Sequence, residues 1–514
     1  MGRRNYVITA EEMRRWECAQ RKSGISAEVM VESIGAQLWR HLAEVLADVA
    51  DPHAVVLAGS GNNGADALVL ARYAAVAGWR VTIVSFGTKE SDLRLLERER
   101  LQLVAAESDA RIRFITAAEK MTACLPADAN AVIEGISGIG CHGELDDVSL
   151  RWVQAVNAWH RHGGFVAAVD IPIGTDATTG EIAATPLRAD VTWMTGWPKR
   201  GLYFYPACAY AGEKMLVSLG LSADRTWAAE LVAPGTSLLR RPIRQGNAHK
   251  GSQGHVAVLA GSEGMEGAAL LAAQAALYSG AGKVTLWVPE GIRAQVAMVV
   301  PEIMVRGIGT GSIWTEEMIP DVDPAIYDAL LIGCGIGRSP RTQAWVGEIL
   351  ARWQRPAVVD ADALWALTTQ KEMAFAQSTV LTPHAGELAQ LADLESPVGE
   401  TARWDVSGTL AAARQAVVVA KGAPTITALP NGERYVNTTG NPGLATAGTG
   451  DTLTGIIAAL LAHGFSAAEA AVSGVYWHGK AADKLAADGY GFTAGAVARM
   501  MPNVIGKGED DAAN

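Results

Sequence analysis

Asp451 follows Gly448, Thr449 and Gly450 at the head of a long apolar stretch. A carboxylate in that place can take a proton from a hydroxyl. The glycines let backbone N–H groups point into one concavity, and a helix starting there adds its positive end. Together these predict a general base beside an anion hole for a phosphoryl group. An acid that merely caps a helix would give the same local pattern. Four further motifs bear on the choice. KGAPT places Lys421, Gly422, Ala423, Pro424 and Thr425 after an apolar run, and TPHAGE places His384 and Glu387 after another. GCGIG carries Gly335 in a turn open to close backbone approach, and VVDADAL supplies Asp360 and Asp362. Each has a plain structural alternative: a hairpin with a solvated lysine, a capped helix start, a structural turn, a helix cap. At the ends of successive strands they argue for one site, because the loops at that edge of a sheet converge.

The intervening runs must therefore be strands of α/β domains. HAVVLAGSGNNGADALVLARYAAVAGWRVTIVSFG reads as strand, glycine–asparagine turn, helix, stop at Gly78 and strand, which is a βαβ unit and implies a parallel sheet. NAVIEGISGIG, GGFVAAVDIPIGTD and ADVTWMTG read as later strands, the first two ending in glycine-rich turns. EVMVESIGAQLWRHLAEVLADV has helical apolar spacing. The pattern fades where prolines and arginines gather in VAPGTSLLRRPIRQGNAHK. We expect a first domain over 1–225, a linker over 226–248, a second domain over 249–507 and a disordered polar tail over 508–514. The second half restarts as GHVAVLAGSEGMEGAALLAAQAALYSGAGKVTLWVP, again strand, glycine turn, helix, strand.

A chain of 514 residues is too long for one ordinary core. With 49% hydrophobic and 19% charged residues it has the make-up of a soluble globular protein. A net charge of −11 argues against broad nucleic-acid or anionic-membrane binding. The five cysteines are odd in number and none stand at metal-ligand spacing, which points to a reducing compartment. The N-terminus has no apolar core of a signal peptide, and no apolar run reaches spanning length, so a cytoplasmic protein is expected.

Over roughly residues 240–500, HKGSQG, LAGSEGMEGAALLAAQAAL, GCGIG, VVDADAL, TPHAGE, KGAPT and GNPGLATAGTGD follow in the order of the ribokinase-like fold. As a set they resemble the nucleotide-dependent dehydratases that repair hydrated NADH and NADPH. GSGNNGAD, VIEGISGIG, VDIPIGTDATTG and ADVTWMTGWPKRGL resemble the epimerase domain commonly fused to that dehydratase, a Rossmann-like three-layer sandwich. The resemblance implies that Asp451 is the dehydratase base. It puts the nucleotide, ADP by expectation and ATP otherwise, with Mg²⁺ at Lys421 to Thr425 and Gly448 to Gly450. Ala268, Gly335, His384 and Asp451 would line the hydrated cofactor. In the epimerase half, Asp170 would be the acid or base. Asn62, Asn63, Gly64, Ala65, Asp66, Gly138, Ile139 and Gly140 would bind substrate. A K⁺ would be held by Asn63, an aspartate and a serine. Here Glu134 and Ile173 stand at the last two positions, and Ala65 and Ala67 replace glycines. These changes predict a weakened cation site and leave the half either an active epimerase or a non-catalytic module. The resemblance also implies a homo-oligomer. A small-molecule kinase of the same fold, acting on a vitamin-precursor alcohol, is the alternative.

Overall fold

The computed structural model describes residues 5–87, 89–107, 111–118, 125–140, 143–315, 317–318, 322–371, 373–375, 378–487 and 489–506; the expected tail lies outside them. The chain divides into two units, residues 6–227, and residues 228–514 with the first five. Each is built on its own sheet.

In the first unit, α1 (Ala10–Lys22) and α2 (Ala27–Val45) precede β1 (His53–Ala58), α3 (Asn62–Val76), β2 (Arg80–Ser85), α4 (Asp92–Glu107), β3 (Ile112–Thr116) and β4 (Ala131–Gly135). There follow α5 (Asp147–His160), β5 (Phe165–Val169), β6 (Val191–Thr195) and β7 (Glu213–Val217). The strands lie in the order β3-β2-β1-β4-β5-β6-β7, all parallel. β1 and β4 are buried along their whole length, because helices cover both faces. Val56, Ala58 and Ile133 pack with Leu38 and Leu42 of α2 and Leu68 of α3. Val55, Leu57 and Val132 point the other way, onto Trp152 and Val156 of α5. The result is a three-layer sandwich, helix, sheet and helix.

The second unit opens with β8 (Ala229–Val232), β9 (His255–Leu259), α6 (Glu266–Tyr278), β10 (Lys283–Pro289), α7 (Glu290–Ala297), β11 (Met304–Ile308) and β12 (Ala329–Ile332). Next are α8 (Pro340–Arg352), β13 (Ala357–Val359), α9 (Ala361–Ala366), β14 (Thr379–Leu381), α10 (Ala385–Leu391), α11 (Arg403–Arg414), β15 (Val417–Ala420), β16 (Ile426–Ala428) and β17 (Arg434–Asn437). The helices α12 (Thr449–Ala462), α13 (Ala467–Ala486) and α14 (Ala494–Ile505) finish it. The order is β11-β10-β9-β12-β13-β14-β15-β16-β17-β8, with β16 antiparallel to both neighbours and the other pairs parallel. Residues 229–232, expected in the linker, are thus the edge strand of this sheet. Gly455 lets α12 close on α6, since a Cβ there would lie 2.2 Å from the Ala272 carbonyl oxygen.

In each sheet the chain reverses direction of growth beside its first central strand, between β1 and β4 and between β9 and β12. Ligand loops gather outside the carboxyl ends of the strands at such points. Gly333, at the end of β12, has φ +130°, and a Cβ there would sit 1.8 Å from the Asp360 carbonyl oxygen. Gly333→Ala should cost about 2–4 kcal/mol, read as a lower denaturant midpoint of the second unit.

Candidate functional site

In the second unit the ends of β12, β13, β14 and β15 meet the first turn of α12. Gly448 has φ +87°, and a Cβ there would strike Leu271 at 2.4 Å, so the turn into α12 needs glycine. The Thr449 hydroxyl ties the turn down, donating to the Leu444 and Thr446 carbonyls at 2.9 Å each. The Gly450 and Asp451 amides lie in the first helical turn, where no carbonyl one turn back is available to them. A Cβ on Gly450 would stand 3.5 Å from Lys421 Nζ, which puts the ammonium against that turn.

Lys421 is not the solvated lysine of a plain hairpin. Its Nζ donates to Asp360 Oδ1 at 2.9 Å and lies 3.8 Å from Glu387 Oε2. Burial alone would lower its pKa, but Asp360 and Glu387 outweigh it and hold the ammonium above its ordinary value. Thr382 donates a second bond to Asp360 Oδ1 at 2.7 Å. Asp451 comes next. Its oxygen, one from Asp360 and the Cys334 sulfur lie within 4.8 Å of one another. Burial, with the Asp360 charge behind it, pushes the Asp451 carboxyl up to about 6, against the Cys334 thiol and Lys421. That suits a base working near neutrality.

The other expected residues fall into place around this core. Gly335 and Ala268 are neighbours: a Cβ on Gly335 would lie 3.1 Å from the Ala268 Cβ. Asp362 is in α9, accepting from Gly337 N–H and pairing with Arg338 at 2.7 Å, so it braces the β12 loop. His384 caps α10: its Nδ1 accepts from the Gly386 and Glu387 amides at 3.0 and 3.3 Å. Glu387 answers by accepting from His384 N–H at 2.9 Å, a reciprocal capping box. The plain reading of TPHAGE is therefore right for the backbone, and the box also fixes Glu387 beside Lys421. Sequence reasoning overlooked Cys334, noting only the glycines around it.

In the first unit, Gly64 sits tight against β1, where a Cβ would meet the Gly59 carbonyl oxygen at 2.1 Å. Asn63, Gly138 and Asp170 come together: a Cβ on Gly138 would lie 3.5 Å from both Asn63 Cβ and Asp170 Oδ2. Asp170 has φ +70°, an uncommon conformation for a residue with a side chain. Its Oδ1 accepts from the Thr195 amide at 3.1 Å and hydroxyl at 2.8 Å and pairs with Lys199, a fully buried lysine. Lys199 and Glu17 of α1 were missed from sequence. Burial, with the Asp170 charge behind it, holds Glu17 above its usual range, against Lys199. Ile139 and Gly140 follow Gly138 on the same loop, and the Ile139 carbonyl accepts from Arg14 at 2.9 Å. Asn62 is exposed at the head of α3. A cavity of ≈ 490 Å³ opens beside the strand ends, among Ser60, Gly87, Ser137, Glu144 and Ile173.

The side chains of Ala65 and Ala67 are fully buried, Ala65 against Val31 and Val69, Ala67 against the sheet. The surroundings of the expected K⁺ ligands are in keeping with a weakened site. Asn63 turns its amide Nδ2 toward the Ser137 and Val169 carbonyls, donating at 2.9 and 3.0 Å. Glu134 is fully buried and both oxygens accept N–H bonds, from Ile136 at 2.7 Å and Ile173 at 3.0 Å. The Ile173 carbonyl accepts from Leu187 N–H, and its side chain belongs to an apolar cluster. Burial pushes the Glu134 carboxyl up to about 8, against the N–H bonds of Ile173, Ile136 and Ser137. A cation needs free oxygens; here both Glu134 oxygens and the Ile173 carbonyl are engaged by N–H donors.

Two outcomes follow. The thermal midpoint of the protein should be the same in KCl and NaCl at equal ionic strength; a K⁺-specific rise would reveal a cation site. Lys199→Met should destabilise the first unit by about 3–5 kcal/mol in denaturant titrations, because it strands Asp170 without its partner.

Comparison with known proteins bears on both units. A family described as NAD(P)H-hydrate dehydratase matches residues 256–503, and one described as YjeF-related protein N-terminus matches residues 27–201. A bifunctional NAD(P)H-hydrate repair enzyme of Moorella thermoacetica is 34% identical over 94% of this chain and 92% of its own. One from Thermofilum pendens is 31% identical over 90% and 89%. A crystal structure of the ADP/ATP-dependent NAD(P)H-hydrate dehydratase of Bacillus subtilis is similar at 32% identity and a TM-score of 0.45, over 51% of this chain and 92% of that one. With relatives matched end to end across both units, the chain belongs to the family of bifunctional NAD(P)H-hydrate repair enzymes.

Proposed function

We propose that the second unit removes water from hydrated NADH or NADPH at the expense of a nucleotide, with Asp451 as base. The observation that carries this is the placing of Asp451 at the first turn of α12, with Lys421 against Gly450. Hydroxide is a poor leaving group, whereas phosphate is a good one. Asp451 takes the proton of the ring hydroxyl as that oxygen attacks the terminal phosphoryl of ADP or ATP. The Gly450 and Asp451 amides, the α12 dipole and Lys421 balance the charge that gathers on the phosphoryl oxygens. AMP or ADP leaves with the electron pair of the broken P–O bond; the ring nitrogen lone pair then expels phosphate to form a C=N bond, the neighbouring carbon gives its proton to solvent, and the ring C=C bond returns. Ala268 and Gly335 form the wall against which the ring lies, and Lys421 to Thr425 serve the nucleotide.

Mg²⁺ enters with the nucleotide phosphates. Asp360 Oδ1 already holds Lys421 and Thr382, and the Cys334 thiol is a soft donor, so the cluster is not a resident site for a hard cation. ADP remains the preferred donor on the fused two-domain layout, and Lys421 with the α12 terminus would serve either terminal phosphoryl.

We read the first unit as the epimerase that interconverts the two hydrate epimers. Asp170, Lys199, Asn63 and the Gly138 loop are assembled, and Ala65 and Ala67, which stand where glycines were expected, are turned into the core. Absorbance of reduced nicotinamide tests both readings, with chemically hydrated NADH, Mg²⁺ and ADP or ATP. Recovery of both epimers faster than they interconvert unaided is expected. A phosphorylated small molecule instead of free phosphate would favour the kinase alternative. Asp451→Asn should lower kcat about 10²–10⁴-fold. Since the base must be deprotonated, wild-type kcat should fall as pH drops through about 6, and rapid-quench or steady-state pH profiles would read the limb.

A further inference from the structure

Epimerisation at a carbon that bears both a hydroxyl and the ring nitrogen needs a proton delivered on one face and removed on the other. Asp170 is one group fitted to this, and its Oδ1 is committed to Thr195 and Lys199 while Oδ2 turns toward Gly138. The other partner is on α3. Asp66 is 6% exposed, and its Oδ1 is buried without a hydrogen-bond partner. Buried polar atoms are nearly always paired, so an orphan of this kind asks for an explanation. Asn63 and Asp66 stand three residues apart in the helix and so share a face. Asn63 and Asp170 flank the same point above Gly138. The face that carries Asp66 therefore looks toward the free side of Asp170.

We propose that Asp66 is the acid and Asp170 the base of the epimerisation, an inference that rests on the epimerase reading of the first unit. The Asp66 proton passes to the ring hydroxyl. The C–O bond breaks, water leaves with the bonding pair, and the nitrogen lone pair forms a C=N bond. Water adds to the opposite face of that carbon, the π pair returns to nitrogen, and the proton of the attacking water goes to Asp170. Solvent returns a proton to Asp66 and takes one from Asp170, so the cycle consumes no proton, oxidant or reductant. Burial, then the charges of Asp170 and Glu17, hold the Asp66 carboxyl well above the usual carboxylate range, against the opposing pull of Lys199. That is the protonated form the first step needs. Lys199 is a positioning residue: it and Thr195 fix one Asp170 oxygen and leave the other to work.

Asp66→Asn tests the assignment, because asparagine matches a neutral carboxyl in shape but cannot give up a proton. Separated hydrate epimers would be incubated without nucleotide, so that the second unit is silent, and their interconversion followed by chromatography. In Asp66→Asn, kcat should drop by about 100-fold or more with KM unchanged, and the thermal midpoint should hold or rise. Interconversion near the wild-type rate would overturn the assignment. So would loss of activity together with a clear fall in thermal midpoint, which would mark Asp66 as an ionised structural group. Wild-type protein that leaves the epimers untouched would sink the epimerase reading itself, and this inference with it.

Discussion

In each unit a lysine at the strand ends, fully buried in the first and largely buried in the second, is paired with an aspartate, and a second carboxyl is left in the field of that aspartate. Lys421 meets Asp360 and Lys199 meets Asp170. A charge taken out of water is tolerated only with a close partner, so these pairs are the condition on which the strand-end loops can be polar at all. The second carboxyls, Asp451 and Asp66, have no such partner. Both are raised by burial first and by the neighbouring aspartate next. The same arrangement thus recurs in two separate sheets: a carboxyl held up by burial and by a neighbouring aspartate.

The pairs are far apart in sequence, and that decides what could be read from the chain. The β1, β4, β9 and β12 runs were legible, because strands covered on both faces are written as unbroken apolar stretches. β3 and β11 were not: they are edge strands, partly exposed, and carry Arg113 and Arg306 in mid-strand. Asp451, Lys421 and Asp170 were legible because each sits in a local pattern of strand end and glycine turn. Lys199 was hidden, since nothing near WPKRG says that its side chain is fully buried against a residue 29 positions earlier. The burial of Ala65 and Ala67 was hidden for the same reason. A sequence gives the added methyl group but not its direction, and on α3 both point inward.

Glu134 shows a further limit. It was expected to weaken a cation site. In the fold it instead gathers the amides that open the Ile136 and Ile173 loops. The same position can organise two loops through carbonyls around a cation or through N–H groups around a carboxyl, and the residue type alone does not choose. The polarity of the surrounding backbone does, and that is a property of the folded loops.

The strand β8 carries a consequence for how this chain can be divided. It pairs with β17 through residues 229–232, and Arg240 beyond it is held by α13: its amide donates to Ser473 at 2.8 Å, and its carbonyl accepts from Trp477 at 2.9 Å. A protease or a gene boundary falling after residue 232 would strip the sheet of its edge and leave β17 open to pairing with a stranger. The boundary between the units falls upstream of this strand, at Ala228, and Asn5 joins the second unit by accepting from Leu231 N–H at 2.8 Å.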